Sequence, residues 1–414
     1  MKNELKTDVL VIGGGPGGFA AAYTAAKHGA KVILVEQCGD IGGISTSGLM
    51  SHWTGSCQSP LYHEILEKSS QKNEFVKGIT NVIDPEILKT LYLEMLIDVG
   101  VHIMLYTFAS DVIKRDDTVL GVSVVNKSGH TDIFAKVVID ASGDGDIAAM
   151  SGAEFIKGRE TDGLMQPATI MFKVGGVDFS RAVFPPSFET TVETEKGELQ
   201  ALAREKLAAP LGHVLLYKST LPGIVTCNMT NCIGIDGTNA EDLTKATVAC
   251  RNQMQKIVKF LREYAPGYEN CYIISSASLV GIRETRHFKG MYTLTEDDIL
   301  SARVFDDYVV RDAHFNFDVH NMTGSGLDAT GVQKHFTQNR GYTIPYRCLI
   351  PEKCENLILC GRNISGTHMA HSNFRVMPIC VGIGEAAGAA AAIAAARYIM
   401  PREVLAEDIR KLIF

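Results

Sequence analysis

The chain has 414 residues, with 40 lysines and arginines against 47 aspartates and glutamates, for a formal net charge of −7. With no basic domain or run, that balance counts against a nucleic-acid partner, because phosphates are met by Lys and Arg. The length suffices for two domains and a large core, and 46% hydrophobic with 21% charged residues suits a soluble globular enzyme.

No unbroken apolar stretch has the length of a membrane span: the tail Ala386–Ala396 is short, and Gly384, Glu385 and Gly388 interrupt its approach. No apolar segment precedes the first strand, so no secretory leader is expected. The ten cysteines form no C-x-x-C pair and no Cys/His cluster of zinc-ligand spacing. No metal is therefore expected, and a reduced, cytoplasmic setting is the simplest reading.

Taken in chain order, Val9–Ile12 is an apolar run that predicts a short buried strand. Gly13, Gly15 and Gly18 then satisfy G-x-G-x-x-G, with Gly14, Pro16 and Gly17 between them. The first glycine permits the tight turn, the second lets backbone approach a pyrophosphate, and the third lets a helix lie close to the strand. That helix is expected from Pro16 to His28, stopped by Gly29, and its free N-terminal amides suit phosphate. Lys31–Val35 is the next strand. Glu36, at its end, is placed to accept both hydroxyls of an adenosine ribose, which favours FAD or NAD over NADP.

A glycine- and hydroxyl-rich loop spans residues 39–48. Asp84 and Pro85 read as an N-cap and a first-turn proline, followed by Ile87, Leu88, Leu91, Met95 and Leu96 on one helical face. Val101–Tyr106, Ser110–Lys114, Gly121–Asn126 and His130–Ala135 are expected as short strands with turns at Asp116-Asp117 and Ser128-Gly129. Val137–Ala141 is a further apolar strand, ending in S-G-D-G-D at Ser142–Asp146. Beyond it the βαβ rhythm is lost. Helices are expected near residues 189–207 and 240–264 and a strand at Tyr272–Leu279. The rhythm returns with a strand at Asn356–Cys360, the turn Gly361-Arg362, and a glycine-interrupted helix from Pro378 to Tyr398. A nucleotide-binding domain is thus expected from residues 1–153 and 335–414, interrupted by a cap or substrate domain at 154–334.

Several separated pieces carry a resemblance: V-I-G-G-G-P-G-G with Glu36, I-G-G-I-S-T-S-G-L at Ile41–Leu49, V-V-I-D-A-S-G-D-G-D at Val137–Asp146, G-I-R-E-T-R at Gly281–Arg286, and L-I-L-C-G-R-N-I-S-G-T-H at Leu357–His368 leading to G-I-G-E-A-A-G at Gly382–Gly388. Together they resemble the single-Rossmann FAD-dependent oxidoreductases of the glutathione-reductase-like superfamily. The resemblance implies an α/β fold, in which an FAD-binding Rossmann-like domain carries a second α+β cap domain. It also implies that Gly13, Gly15, Pro16, Gly17 and Gly18 cradle the FAD pyrophosphate, with Glu36 and Gln37 at the adenosine ribose. Gly42, Gly43, Ser45 and Thr46 would wrap the riboflavin side, and Ala141, Ser142, Gly143 and Asp146 would pass the adenosine half. Gly361 and Arg362 would stand beside the pyrophosphate and ribityl chain. Ile383, Gly384, Glu385 and Ala386 would start the terminal helix, aiming amides at the flavin N1/O2 edge. Glu385 departs from the glutamine common in the family, which would put an acid near the flavin if it faces inward. Neither a second G-x-G-x-x-G nor a redox cysteine pair near the N-terminus is visible, and Cys227 and Cys232 read as structural.

Flavin carries the redox chemistry, so the protein must orient a substrate and move a proton. His52, His368 and Arg283 are the expected catalytic residues, the arginine as an anchor for an anionic group. His371, Arg286, Tyr342 and Arg347 are further possibilities near the same segments. Each has an ordinary alternative: core histidines, and ion pairs of Arg283 or Arg286 with Glu284 or Asp297. Trp53 is expected in ordinary core. The reading is an FAD-dependent oxidoreductase acting on a small polar metabolite such as a sugar or hydroxy acid. Its electron donor or acceptor and oligomeric state stay open. The alternatives are an NAD-only dehydrogenase, which leaves the Gly361 segment unexplained, and a non-catalytic flavin-binding subunit.

Overall fold

A computed structural model describes residues 3–328 and 338–414. In chain order the elements are β1 (Asn3–Ile12), α1 (Pro16–Lys27), β2 (Val32–Val35), α2 (Pro60–Gln71), α3 (Pro85–Asp98), β3 (His102–Met104), β4 (Phe108–Arg115), β5 (Thr118–Asn126), β6 (Gly129–Asp140), α4 (Asp146–Ser151), β7 (Phe155–Lys157) and β8 (Phe172–Gly175). There follow β9 (Glu193–Thr194), β10 (Gly197–Glu198), α5 (Leu199–Lys206), β11 (Leu216–Lys218), β12 (Val225–Cys227), α6 (Ala240–Tyr264), β13 (Tyr272–Ser276), β14 (Arg286–Phe288), α7 (Glu296–Leu300), β15 (Tyr308–Ala313), β16 (Tyr342–Pro345), β17 (Leu357–Leu359), α8 (His368–Phe374), α9 (Met377–Arg397) and α10 (Ala406–Ile413).

Because Val9–Ile12 is apolar on both faces, β1 takes the centre of the main sheet, in register with Val32–Val35 on one side and Val137–Asp140 on the other. The parallel order is β3-β2-β1-β6-β17, the Rossmann-like arrangement expected from the sequence. β6 is one strand of 12 residues rather than the two expected, since Lys136 continues it while pairing at its rim with Asp8 at 2.8 Å. Its first half pairs antiparallel with β5 and its last three residues pair parallel with β17.

Glycines set how closely the helices pack. A Cβ on Gly18 would lie 1.8 Å from the Gly13 carbonyl oxygen, so the third motif glycine lets α1 sit against the end of β1. Gly384 and Gly388 do the same between α1 and α9, where added Cβ atoms would meet the carbonyl oxygens of Gly17 at 2.2 Å and Ala21 at 2.3 Å. Met377–Ala395 are all buried, so the apolar tail is a core helix, although α9 is the one described helix long and apolar enough to cross a membrane.

A second hydrophobic cluster forms around the antiparallel sheet β11-β12-β8-β13. The long helix α6 lays Ala246, Cys250, Met254, Ile257 and Leu261 against it. This cluster draws on residues 168–277 plus Leu49, whereas Phe288, Leu294, Phe305, Val309 and Phe317 belong to the first core. The expected junction at 334/335 falls outside the described residues. The expected helix at 189–207 is confined to α5. Before it, Thr190, Thr191, Val192 and Thr194 favour extended backbone. Gly197 (φ 125°) closes a hairpin there, and the Glu198 carboxylate caps α5 by accepting from Gln200 N and Ala201 N.

Candidate active site

One cavity of about 970 Å³ runs between the two cores, lined by both. At one end lie the β1–α1 turn and the end of β2. Gly13 takes φ 96°, and Gly15 N-caps α1 with no side-chain partner and Pro16 at the first turn, leaving amides facing the cavity. Cβ atoms on Gly15 and Gly361 would meet nothing within 4 Å, so both glycines open onto free space. Glu36 is buried, and its carboxylate accepts from Gly14 N at 2.6 Å and Cys38 N at 2.7 Å. The acid thus ties the phosphate turn to the end of β2 while lining the cavity beside Gln37.

Ala141, Ser142, Gly143 and Asp146 line the adjoining wall. Fully buried Asp140 organises this turn, accepting from Ser142 Oγ at 2.6 Å and Ala148 N at 2.8 Å. Burial nevertheless pushes its carboxyl up to about 6. Arg362 reaches Asp144 at 2.9 Å, and Arg286 reaches Asp146 at 2.8 Å. The Arg286 partner is therefore Asp146, not Glu284 or Asp297. Amides at an open helix start, a buried ribose-side acid and glycines that leave room for a ligand fit an FAD-sized dinucleotide.

Some expected cofactor residues act one step away. Gly42, Ser45 and Thr46 do not line the cavity; Ser45 Oγ donates to Gly42 O and Thr46 Oγ1 to Ile41 O, so they shape the loop that presents Gly43 and Ile44. The terminal helix begins within a residue of the expected Pro378, but the residues the resemblance implied at its cavity-facing start do not sit there. It starts at Met377, with Pro378 in the first turn, and Val376, Met377 and Cys380 line the cavity. Ile383, Gly384, Glu385 and Ala386 lie further along α9, off the cavity and packed in the core. The Glu385 carboxylate accepts from Ser59 Oγ and, at 3.1 Å, from Leu61 N at the start of α2, so this acid faces α2 and not the cavity.

The expected catalytic residues divide. Arg283 lines the cavity, and its Nη1 donates to Pro167 O at 2.6 Å and Thr169 Oγ1 at 2.8 Å. His52 does not line it; its ring stacks on Tyr217, centroids 5.4 Å apart, and burial lowers its pKa. His368 is also off the cavity. Its Nδ1 lies 2.5 Å from Glu284 Oε1, which His287 Nε2 also meets at 2.8 Å. Burial opposes ionisation of Glu284, but the two histidine contacts outweigh it and hold the carboxyl well below the usual range. His371 stacks edge-on against His287 and Phe374. Tyr342 donates to Asn373, Arg347 pairs with Asp307, and Trp53 is core stacked on Tyr62.

Sequence reasoning missed the groups at the far end of the cavity: Asp318, His320 and Arg375, with Phe188, Tyr217 and Asn228 around them. Arg375 Nη2 reaches Asp318 Oδ2 at 3.1 Å, and His320 Nε2 lies 3.4 Å from the same oxygen. Burial, reinforced by the Arg283 charge, pushes His320 down to about 4, so it is neutral near pH 7. Pro378, marking the helix start, was the available signal for Arg375. Asp318 and His320 sit in irregular chain with no periodic signature.

A parallel sheet with a glycine turn after its central strand, a buried acid at the end of the next strand and a cavity reaching a second unit is the architecture of a dinucleotide-binding protein. The family profile described as FAD dependent oxidoreductase matches residues 8–413, and the chain belongs to that family. Its cofactor is FAD. Among curated proteins it is similar to the thiamine thiazole synthase of Sulfolobus acidocaldarius, 32% identical over 160 residues, which are 36% of this chain and 60% of that protein. It is also similar to the digeranylgeranylglycerophospholipid reductase of Methanosarcina acetivorans, 30% identical over 154 residues, covering 33% and 37% of the two chains. The chain thus spans under two thirds of either relative. Among solved structures, a geranylgeranyl bacteriochlorophyll reductase-like protein from Thermoplasma acidophilum aligns over 99% of this chain and 83% of its own, with a TM-score of 0.49 and 14% identity.

Proposed function

We propose that the chain transfers a hydride or electrons between FAD and a small polar metabolite, with sugars and hydroxy acids the first classes to test. The names of its partial relatives contain neither class, so this choice rests on the cavity alone. The supporting observation is the continuity of that cavity from Glu36, past the start of α9, to Arg283 and His320. On this reading Gly13–Gly18, Glu36, Ala141–Asp146 and Gly361–Arg362 hold the cofactor, and residues of about 168–282 form most of the substrate cap. Bound FAD supplies the two-electron acceptor or donor. The amides opening α9 face the cavity at Val376–Met377 and stabilise negative charge developing beside them.

His320 replaces His52 and His368 as the proton-carrying residue, because it lines the cavity and they do not. Its neutral ring takes the substrate hydroxyl proton in the oxidative direction, and Asp318 stabilises the resulting charge. Ten free cysteines accord with a reducing, cytoplasmic location. The test is anaerobic mixing of the FAD-loaded protein with sugars and hydroxy acids while following flavin bleaching. For an active substrate, His320→Gln should slow flavin reduction by about 100-fold. An unchanged rate would remove His320 from this role. Bleaching by no member of either class would remove the substrate assignment.

A further inference from the structure

Four arginines line the cavity, and three of them have a carboxylate partner: Arg286 with Asp146, Arg362 with Asp144 and Arg375 with Asp318. Arg283 is the exception. Its hydrogen bonds go to two neutral oxygens, and among the described residues no carboxylate lies within ion-pair distance of it, Asp318 acting on it only from further away. Burial and the neighbouring Arg375 charge lower its pKa to about 10, which leaves it charged near neutrality. A desolvated guanidinium with neutral partners is costly unless an anion completes it. Asp318 acts on both arginines and Glu284 on Arg375, but Arg283 makes no direct contact with either acid. His320 and His213 are held neutral by burial and contribute none.

Apolar and aromatic side chains stand beside these charges, together with Asn228. Phe188 stands edge-on to both His213 and His320 at 4.9 Å, and Leu215, Tyr217 and Phe315 line the same region.

We propose that this end of the cavity is a carboxylate-binding subsite, in which Arg283, assisted by Arg375, holds the carboxylate of an organic acid whose apolar body lies against Phe188 and Tyr217. The inference rests on the oxidoreductase reading only for placing that acid beside FAD, and it narrows the substrate class to monocarboxylates.

The test is calorimetric titration of the FAD-loaded protein with matched pairs of probes: phenylacetate with phenylacetamide, and lactate with lactamide. Flavin content is measured separately on the same samples. At least one carboxylate should bind about 30-fold more tightly than its amide, the effect of a charge-assisted, bidentate contact. Arg283→Met should abolish that preference, and Arg283→Lys should restore part of it, with flavin content unchanged in both. Equal binding of acid and amide by the wild-type protein, or no binding of any acid, overturns the proposal even if Arg283→Met fails to fold. Lack of flavin with the carboxylate preference intact would instead refute the cofactor reading and leave the subsite standing.

Discussion

Glu385 provides a sharp test of how α9 is seated. Burial pushes its carboxyl up to about 7 from an ordinary 4.5, against the bonds from Ser59 and Leu61. Between those two values the native protein keeps a proton that the unfolded chain has released. Stability therefore falls as pH rises through that window, and the full penalty applies above about 7. A difference of this size corresponds to about 3 kcal/mol. Glu385→Gln keeps an oxygen to accept from Leu61 N and has no charge to bury. Wild type and variant should have similar stability near pH 4, below both values, and the variant should gain about 3 kcal/mol near pH 8. Urea unfolding of FAD-saturated protein at both pH values measures this, and taking the difference between the proteins cancels groups that titrate in both. A gap independent of pH would refute the assignment of Glu385 as a buried acid facing α2.

Gly18→Ala should lose FAD and destabilise the fold by about 3 kcal/mol or more, because overpacking here meets backbone; flavin content and urea midpoints report it, and retained FAD would contradict the packing role. His368→Ala should cost about 2–3 kcal/mol in urea unfolding by leaving buried Glu284 short of a partner, while leaving FAD content intact. Since Glu284 is depressed in the native state, its contribution is present above about pH 4.5 and lost as pH falls; His368→Ala should therefore flatten the acid limb of the stability profile. His52→Ala should leave the flavin reduction rate within about 3-fold of wild type, because its ring is behind Tyr217 and off the cavity.

The nucleotide half was readable because its chemistry is local. Gly13, Gly15, Gly18 and Glu36 sit within one βαβ unit, and the turn, the close approach and the ribose acid each demand a residue type at fixed spacing. The Val137–Asp146 strand and turn and the Gly361-Arg362 turn were legible for the same reason. The helix itself was legible from Pro378, but the resemblance put its cavity-facing residues at Ile383–Ala386, where Gly384 and Gly388 serve contact with α1 instead. The substrate end was largely illegible. Arg283 was expected as an anion anchor, but Asp318, His320 and Arg375 come from separate segments, and only the tertiary fold shows that, among the described residues, three of the cavity's arginines have a carboxylate at ion-pair distance and Arg283 does not. His368 illustrates the converse: its motif position suggested chemistry, but Glu284 and His287 hold it in the core.

The most direct test of the central claim is the visible absorption spectrum of the purified protein, repeated on the supernatant after acid precipitation and followed by identification of the released nucleotide. The account predicts a flavin spectrum, FAD as the flavin identified, and loss of that flavin in Gly18→Ala. A protein that carries no flavin and takes up none when FAD is added would contradict it.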